Sequence, residues 1–283
     1  MKRRWPLLLS LLPLLIGLGT YGYFWRGWAA RFETTLARWF PGERPQVTGF
    51  PYRLETELAG VRLAHKGGVQ LALAVDRLRL NRGPWRPELT VFQGQGVTLS
   101  ATAAGLSPRV AAGVATASLK LDGDRLVRLS IVLPRARGNA GFGPDFRADS
   151  LELHAREIIG LTEPASPRVP ARGQLVVGAT GFALGQGAPI SLDGDVQVRG
   201  GSRLTDYRRW AASGSLDVVL TGRDATGELF KLDASLVPLG DGLRLAGTIT
   251  TVCPLAVQAA LNGSAAPAEQ RLRTPVRLAL ETA

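Results

Sequence analysis

Phe230-Lys231-Leu232-Asp233-Ala234-Ser235-Leu236 alternates apolar and polar side chains without a break. A repeat of two puts successive side chains on opposite faces, so this stretch reads as a β-strand with one greasy and one wet face. Val127, Leu129, Ile131 and Leu133 repeat the pattern against Arg128 and Ser130. Leu243, Leu245 and Ile249 do so against Arg244 and Thr248, and Leu216, Val218 and Leu220 give a further run. Leu71, Leu73 and Val75 also alternate, but Leu78 and Leu80 resume out of phase, which predicts a bulge near Asp76. From Gln46 onward the chain therefore reads as mainly β, with long antiparallel strands of one apolar face. No helical pattern of comparable strength follows Phe40.

Turn chemistry agrees. Leu121-Asp122-Gly123-Asp124, Leu192-Asp193-Gly194-Asp195 and Asp241-Gly242 each place Asp-Gly between alternating segments, a hairpin signal. Gly160 to Gly173 carries Pro164, Pro167 and Pro170 and is the expected boundary between two β lobes, residues 46–160 and 173–283. Arg137 to Pro144, with Gly138, Gly141 and Gly143, reads as an exposed loop. The similar strand lengths hint at internal repetition without a strict period.

The N-terminus has another character. Lys2-Arg3-Arg4 precedes an apolar run, Trp5 to Trp25, that holds no charge. About twenty residues rising ~1.5 Å each can cross a ~30 Å hydrocarbon layer. Residues 1–25 are thus expected to be a transmembrane anchor, with Trp5, Tyr21, Tyr23 and Trp25 at headgroup level. A cleaved signal peptide fits less well. The apolar core is too long, Gly17-Leu18-Gly19 is a poor cleavage site, and Trp28 spoils Ala29-Ala30. The basic cluster favours a cytoplasmic N-terminus, with the bulk of the chain outside the cytoplasm, which for an inner-membrane protein of the kind resembled below would be the periplasm. Residues 26–45 form an amphipathic helix and linker: Trp28, Phe32, Leu36, Trp39 and Phe40 recur at helical spacing, and Pro41-Gly42 ends it. That stripe either packs on the following domain or lies on the membrane surface.

At 283 residues and 45% hydrophobic content the chain can bury a sizeable core. The formal charge of +11 comes mostly from arginines scattered along the strands, which reads as solvated strand faces rather than a nucleic-acid site. Catalytic chemistry is hard to assemble. His65 and His154 read as surface residues with no ligand at metal spacing. The Asp-Gly-Asp turns lack the further ligands of a calcium loop. Gly94-Gln95-Gly96 sits between strand-like segments rather than at a strand-to-helix junction, and no Gly-x-Ser-x-Gly elbow is present. Cys253, flanked by Val252, Pro254 and Leu255, reads as a small apolar filler. No catalytic residue, cofactor or metal is expected.

Gly49-Phe50-Pro51-Tyr52-Arg53 follows the anchor and helix and leads into the first strand. Pro51 favours an extended Phe50, and Gly49 permits a sharp turn from helix to sheet. This arrangement, together with Trp210-Ala211-Ala212-Ser213-Gly214-Ser215-Leu216, resembles an uncharacterised family of envelope proteins found chiefly in alphaproteobacteria. More distantly, the architecture is similar to AsmA-like proteins, which implies a curved sheet with a greasy concave face. The resemblance implies a non-enzymatic envelope protein anchored in the inner membrane, with membrane lipid and either a lipid or an envelope protein as client. The alternative is an assembly partner with a sandwich-like, fully packed β core.

Overall fold

The computed structural model describes residues 5–66, 70–102, 105–123, 125–141, 143–158, 171–200, 207–239, 242–261 and 269–281; the side chains of residues 5–10, 207, 208, 242, 243 and 261 stand outside that description. Helix α1 (Trp5–Trp39) leads into β1 (Leu54–His65), β2 (Gln70–Arg82), β3 (Leu89–Thr102), β4 (Arg109–Asp122), β5 (Arg125–Asn139) and β6 (Phe146–Glu157). Then come β7 (Ala171–Leu184), β8 (Ile190–Arg199), a short α2 (Tyr207–Ala211), β9 (Ser215–Asp224), β10 (Gly227–Leu239), β11 (Gly242–Thr251), α3 (Pro254–Leu261) and β12 (Val276–Glu281). The mainly β reading holds. Every strand pairs antiparallel with its neighbour in sequence, in the order β1 to β12.

The expected curved or sandwich-like sheet is not what forms. The described strands make one open, uncurled sheet with β1 and β12 at its edges, and Glu55 of β1 makes one further antiparallel bridge to Thr48. A sandwich needs connections that carry the chain into a second layer. Here each strand returns beside its predecessor, so no such crossing occurs. The boundary expected between two lobes, at 160–173, falls largely outside the described residues. β6 bonds β7 up to Glu157 opposite Gly173, and the proline-rich residues 159–170 lie outside the described residues.

At the N-terminus, one continuous helix, Trp5–Trp39, runs through the segments expected as an anchor (1–25) and a separate amphipathic helix with its linker (26–45). Among the described residues no helix is long and apolar enough to cross a membrane. Lys2-Arg3-Arg4 lies outside the described residues. The stripe on the C-terminal half of α1 packs on the sheet rather than on a membrane surface. Ala29, Phe32, Leu36 and Phe40, spaced by three and four, are buried, with Leu36 at 0% exposure, among Leu54, Leu58, Leu78 and Leu80. Glu33 holds the outgoing linker by accepting the Val47 N–H at 2.9 Å.

The bulge expected at Asp76 is part of a larger feature. In each of the first seven strands the inward-facing residues skip from a spacing of two to a spacing of three, once. The steps are Leu58 to Val61, Val75 to Leu78, Gly94 to Val97, Ala112 to Ala115, Leu133 to Ala136, Ala148 to Leu151 and Ala179 to Phe182. The pairing register aligns them: Gly60 faces Asp76, which faces Gly96, then Gly113, Arg135, Asp149 and Gly181. Because all seven strands slip together, the ladder on either side keeps its register. On alternate strands the slip uses a positive φ: Gly60 (66°), Gly96 (62°), Arg135 (51°) and Gly181 (60°). The result is a crease across β1 to β7, with two consecutive residues turned outward in each of these strands.

Asp122-Gly123 forms the expected β4–β5 turn, with Gly123 at φ 59°. Leu192-Asp193-Gly194-Asp195 is instead the middle of β8. Gly194 points inward, where a Cβ would lie 3.2 Å from Leu220 and 3.5 Å from Val177, so this Asp-Gly marks close packing rather than a turn. Gly94-Gln95-Gly96 likewise lies inside β3, at the crease. Arg137, Gly138 and Asn139, expected in a loop, complete β5. The helices α2 and α3 escaped the sequence reading because each is too short to show a period.

Candidate functional site

The first candidate is the place where α1 leaves the sheet. The side chains of residues 11–20 are all exposed, and Leu12, Leu14, Leu15, Ile16 and Leu18 are among them. At ~1.5 Å per residue, the helix from Trp5 to Tyr21 reaches ~24 Å beyond its first contact with the rest of the chain. That contact is aromatic. The Tyr21 ring lies 5.9 Å from Phe50 and 6.1 Å from both Trp28 and Trp85, stacked on the last of these. Trp25 meets Phe50 edge-on at 5.5 Å. Tyr21 Oη donates to the Pro51 carbonyl at 2.5 Å, and Arg53 N–H to the Gly49 carbonyl at 2.9 Å.

The motif Gly49-Phe50-Pro51-Tyr52-Arg53 is thus a tight loop that clasps α1. Gly49 takes φ 95°, and a side chain there would press on the Arg53 backbone. Trp85, in the β2–β3 connection, is a component that sequence reasoning missed. The Pro84-Trp85-Arg86-Pro87 cluster was its signal. Around this clasp, large aromatics face solvent: Tyr23 is 76% exposed, Tyr52 74%, Trp85 64% and Phe24 53%. Arg26, Arg53 and Arg86 are exposed beside them, with Glu88 the acidic neighbour in the same connection.

The second candidate is the inward face of the sheet. Its side chains are largely apolar from β1 to β12, with the buried threonines Thr56, Thr90 and Thr251 among them, and end in Leu236, Leu245, Ile249, Val276, Leu278 and Leu280. One cation interrupts it. The Arg82 guanidinium sits 4.3 Å from the Phe32 ring centre and 5.7 Å from that of Trp39, and donates to Thr90 Oγ1 at 2.8 and 3.0 Å. Burial lowers its pKa, an effect that Glu88 opposes. Cation–π contact and the buried Thr90 hydroxyl together stabilise a charge that apolar surroundings would otherwise disfavour.

The outward face is polar and paired. Arg77 bonds Glu57 at 3.1 Å, Arg199 bonds Asp217 at 2.5 Å and Arg244 bonds Glu281 at 2.8 Å, while Arg79 and Arg223 reach Glu55 and Asp193. The arginine excess therefore sits largely on a solvated sheet surface. His154 is exposed there, 3.6 Å from Glu152, and His65 is exposed near the end of β1. Both line up with their expected surface placement. A shallow depression lined by Glu152, His154, Gly178, Asp193 and Asp195 lies on this face, open to solvent. Cys253 is half-buried after β11, and burial raises its thiol pKa, with Glu269 adding to the effect. That is the setting of a packing residue rather than of an activated nucleophile. Trp210 of α2 is buried, donates from Nε1 to the Arg199 carbonyl at 2.7 Å, and lies over Gly200 and Gly214. It explains the Trp210 to Leu216 stretch as the latch that starts β9.

Fold and site together define a helix-led, single-sheet antiparallel protein whose helix is clasped by an aromatic loop. A family model described as an uncharacterised protein conserved in bacteria (DUF2125) matches residues 28–221, well over half of the chain. The chain belongs to that family. The match begins within α1 and ends in β9, so it covers the Gly49–Arg53 loop, Trp85 and the whole crease, while Tyr21 and Trp25 lie before it. No curated protein and no solved structure matches the chain, so the AsmA-like likeness finds no counterpart there.

Proposed function

We propose that this is a tethered envelope protein. Its α1 segment would anchor it in the inner membrane, and its sheet would present an apolar face to an acyl chain or a similarly apolar client on the periplasmic side. One observation carries this reading. An uncovered apolar helix segment projects from one end of a sheet whose inward face is largely apolar across all twelve strands. The helix covers part of that face at β1 to β3, where Phe32, Leu36 and Phe40 pack, and most inward side chains of β9 to β12 are half-buried, Ala234, Ile249 and Thr251 being buried. Each methylene laid on such a face gains ~0.8 kcal/mol. A packed sandwich core, the alternative, needs a second layer that the described strands do not form.

The test is photo-crosslinking of the full chain, in phospholipid vesicles, with a diazirine fatty acid. Adducts should map to inward positions such as Leu220, Phe230 and Leu245. Labelling spread equally over outward residues of the same strands would end the lipid-handling reading. Recovery of the full chain as a non-floating species after density-gradient centrifugation with vesicles would end the tether.

A further inference from the structure

Two loops remote in sequence from the apolar run bring exposed aromatics and arginines to the point where α1 departs. Tyr52 and Arg53 come from the connection before β1, and Trp85 and Arg86 from the β2–β3 connection. Neither exposed Tyr52 nor exposed Trp85 is needed to fill the core. Large aromatics left in solvent are costly unless something covers them, and a contiguous patch of this kind marks an interaction surface. Its chemistry is amphipathic: rings with polar edges, interleaved with guanidinium groups that bond phosphate in a bidentate fashion. Rings and arginines of this kind collect at the headgroup level of bilayers.

We infer that Tyr23, Phe24, Tyr52, Trp85 and the guanidinium groups of Arg26, Arg53 and Arg86 form a collar that seats on the headgroup layer of a bilayer containing anionic phospholipid. The inference rests on the tether reading and deepens it. The helix alone would set no particular tilt or roll of the molecule about the axis of α1. The collar adds two further points of contact, on two loops, that fix how the sheet meets the membrane. Geometry supports this arrangement. The connection between β4 and β5 lies at the same end of the sheet as the collar, whereas the β7–β8 connection lies at the opposite end. A seated collar therefore places one edge row of turns toward the lipid and keeps the other in solvent. Glu88 beside Arg86 is the acidic group within residues 49–53 and 83–88, and Asp122, in the β4–β5 connection at this end, is paired with Arg125 at 2.9 Å.

The experiment uses the full chain in vesicles of phosphatidylethanolamine with phosphatidylglycerol, and in vesicles of phosphatidylcholine alone. Nitroxide labels are placed singly at Leu14, Tyr52, Pro87 and Ala188 in a Cys253→Ala background, and depth is read from relative collision with oxygen and a water-soluble nickel chelate. Leu14 should report hydrocarbon, Tyr52 and Pro87 the headgroup zone, and Ala188 water. Trp85→Ser should move the Pro87 label toward water while Leu14 stays buried. Arg53→Gln with Arg86→Gln should remove any difference at Pro87 between the two lipid mixtures. Circular dichroism of each variant verifies the sheet, and the Leu14 reading separates the two ideas. If Leu14 is buried while Tyr52 and Pro87 are in water, the collar is overturned and the tether stands. If all four labels are in water, both fall.

Discussion

Gly96 and Gly181 hold φ near 60° in the middle of strands, and each lies beneath a carboxylate from the next strand, Asp76 and Asp149 respectively. A Cβ at either position would overlap that carboxylate, and it would also carry the ~1–2 kcal/mol cost of a left-handed residue. Gly113 sits on the same crease, but no positive φ marks it and nothing occupies the space a Cβ would fill. Gly96→Ala and Gly181→Ala should each lose about 2 kcal/mol or more, lowering the melting temperature by several degrees for a chain of this size. Gly113→Ala should be neutral or slightly stabilising, since alanine also restricts the unfolded chain. Thermal melts of the three variants check this; equal losses at all three would mean that the crease has no special backbone demand. The sequence announced one seventh of this feature, the phase change at Asp76. Five of the other slips were hidden because an inward residue at the step is small, Gly94, Ala112, Ala136, Ala148 or Ala179, and small residues carry almost no periodic signal.

Among the elements, the strands and the C-terminal stripe of α1 were legible because burial on one face imposes a period on the sequence. The clasp was half legible. Gly49 to Arg53 stood out as a motif, but its partners Tyr21 and Trp85 lie about thirty residues away on either side, beyond any local pattern. The last described segment is another non-local case. Arg271 bonds Asp224 at 3.0 and 3.3 Å and also reaches Thr226, tying the strand-free stretch before β12 to the β9–β10 turn. Glu269 accepts the N–H groups of Leu255 and Ala256 at 3.1 and 3.0 Å, capping α3. The Thr226 hydroxyl at 2.6 Å, then its backbone N–H at 2.7 Å and Arg271, hold the Asp224 carboxyl below its ordinary pKa against the opposing effect of burial. A folded-state pKa below the unfolded one means that the clasp contributes fully above the ordinary carboxyl pKa of ~3.9 and is lost as pH falls through the lower folded value. Hydrogen exchange over residues 269–275, corrected for its intrinsic pH dependence, should therefore accelerate below about pH 4. Asp224→Asn should exchange fast at neutral pH and gain little more on acidification. A wild-type profile flat down to pH 2 would remove Asp224 from this role.

At the scale of the whole molecule, each strand bonds only the strands before and after it in sequence, so the sheet behaves as a one-dimensional array whose stability is a sum of neighbour interfaces. In such an array the ends open first, and the two ends here differ. β1 has twelve residues, eleven of them in register with β2, and α1 packs Leu36 and Phe32 against its inward face. β12 has six residues, all paired to β11 alone, and it presents a bare outer edge. The interior strands β3 to β6 are long and bonded on both sides, with Leu133, Ala136, Ala148 and Leu151 buried among them. Hydrogen exchange of the full chain should consequently be graded rather than uniform. Amides of residues 276–281 should exchange first, those of β10 and β11 next, and those of β3 to β6 last, with β1 protected well beyond what an edge strand alone would show. Leu36→Ala, which leaves a cavity costing ~2–5 kcal/mol under α1, should selectively release β1 and leave the β12 end unchanged. A single common rate for all twelve strands, or release of both ends by Leu36→Ala, would mean that the sheet opens as one unit. The neighbour-by-neighbour account would then fail.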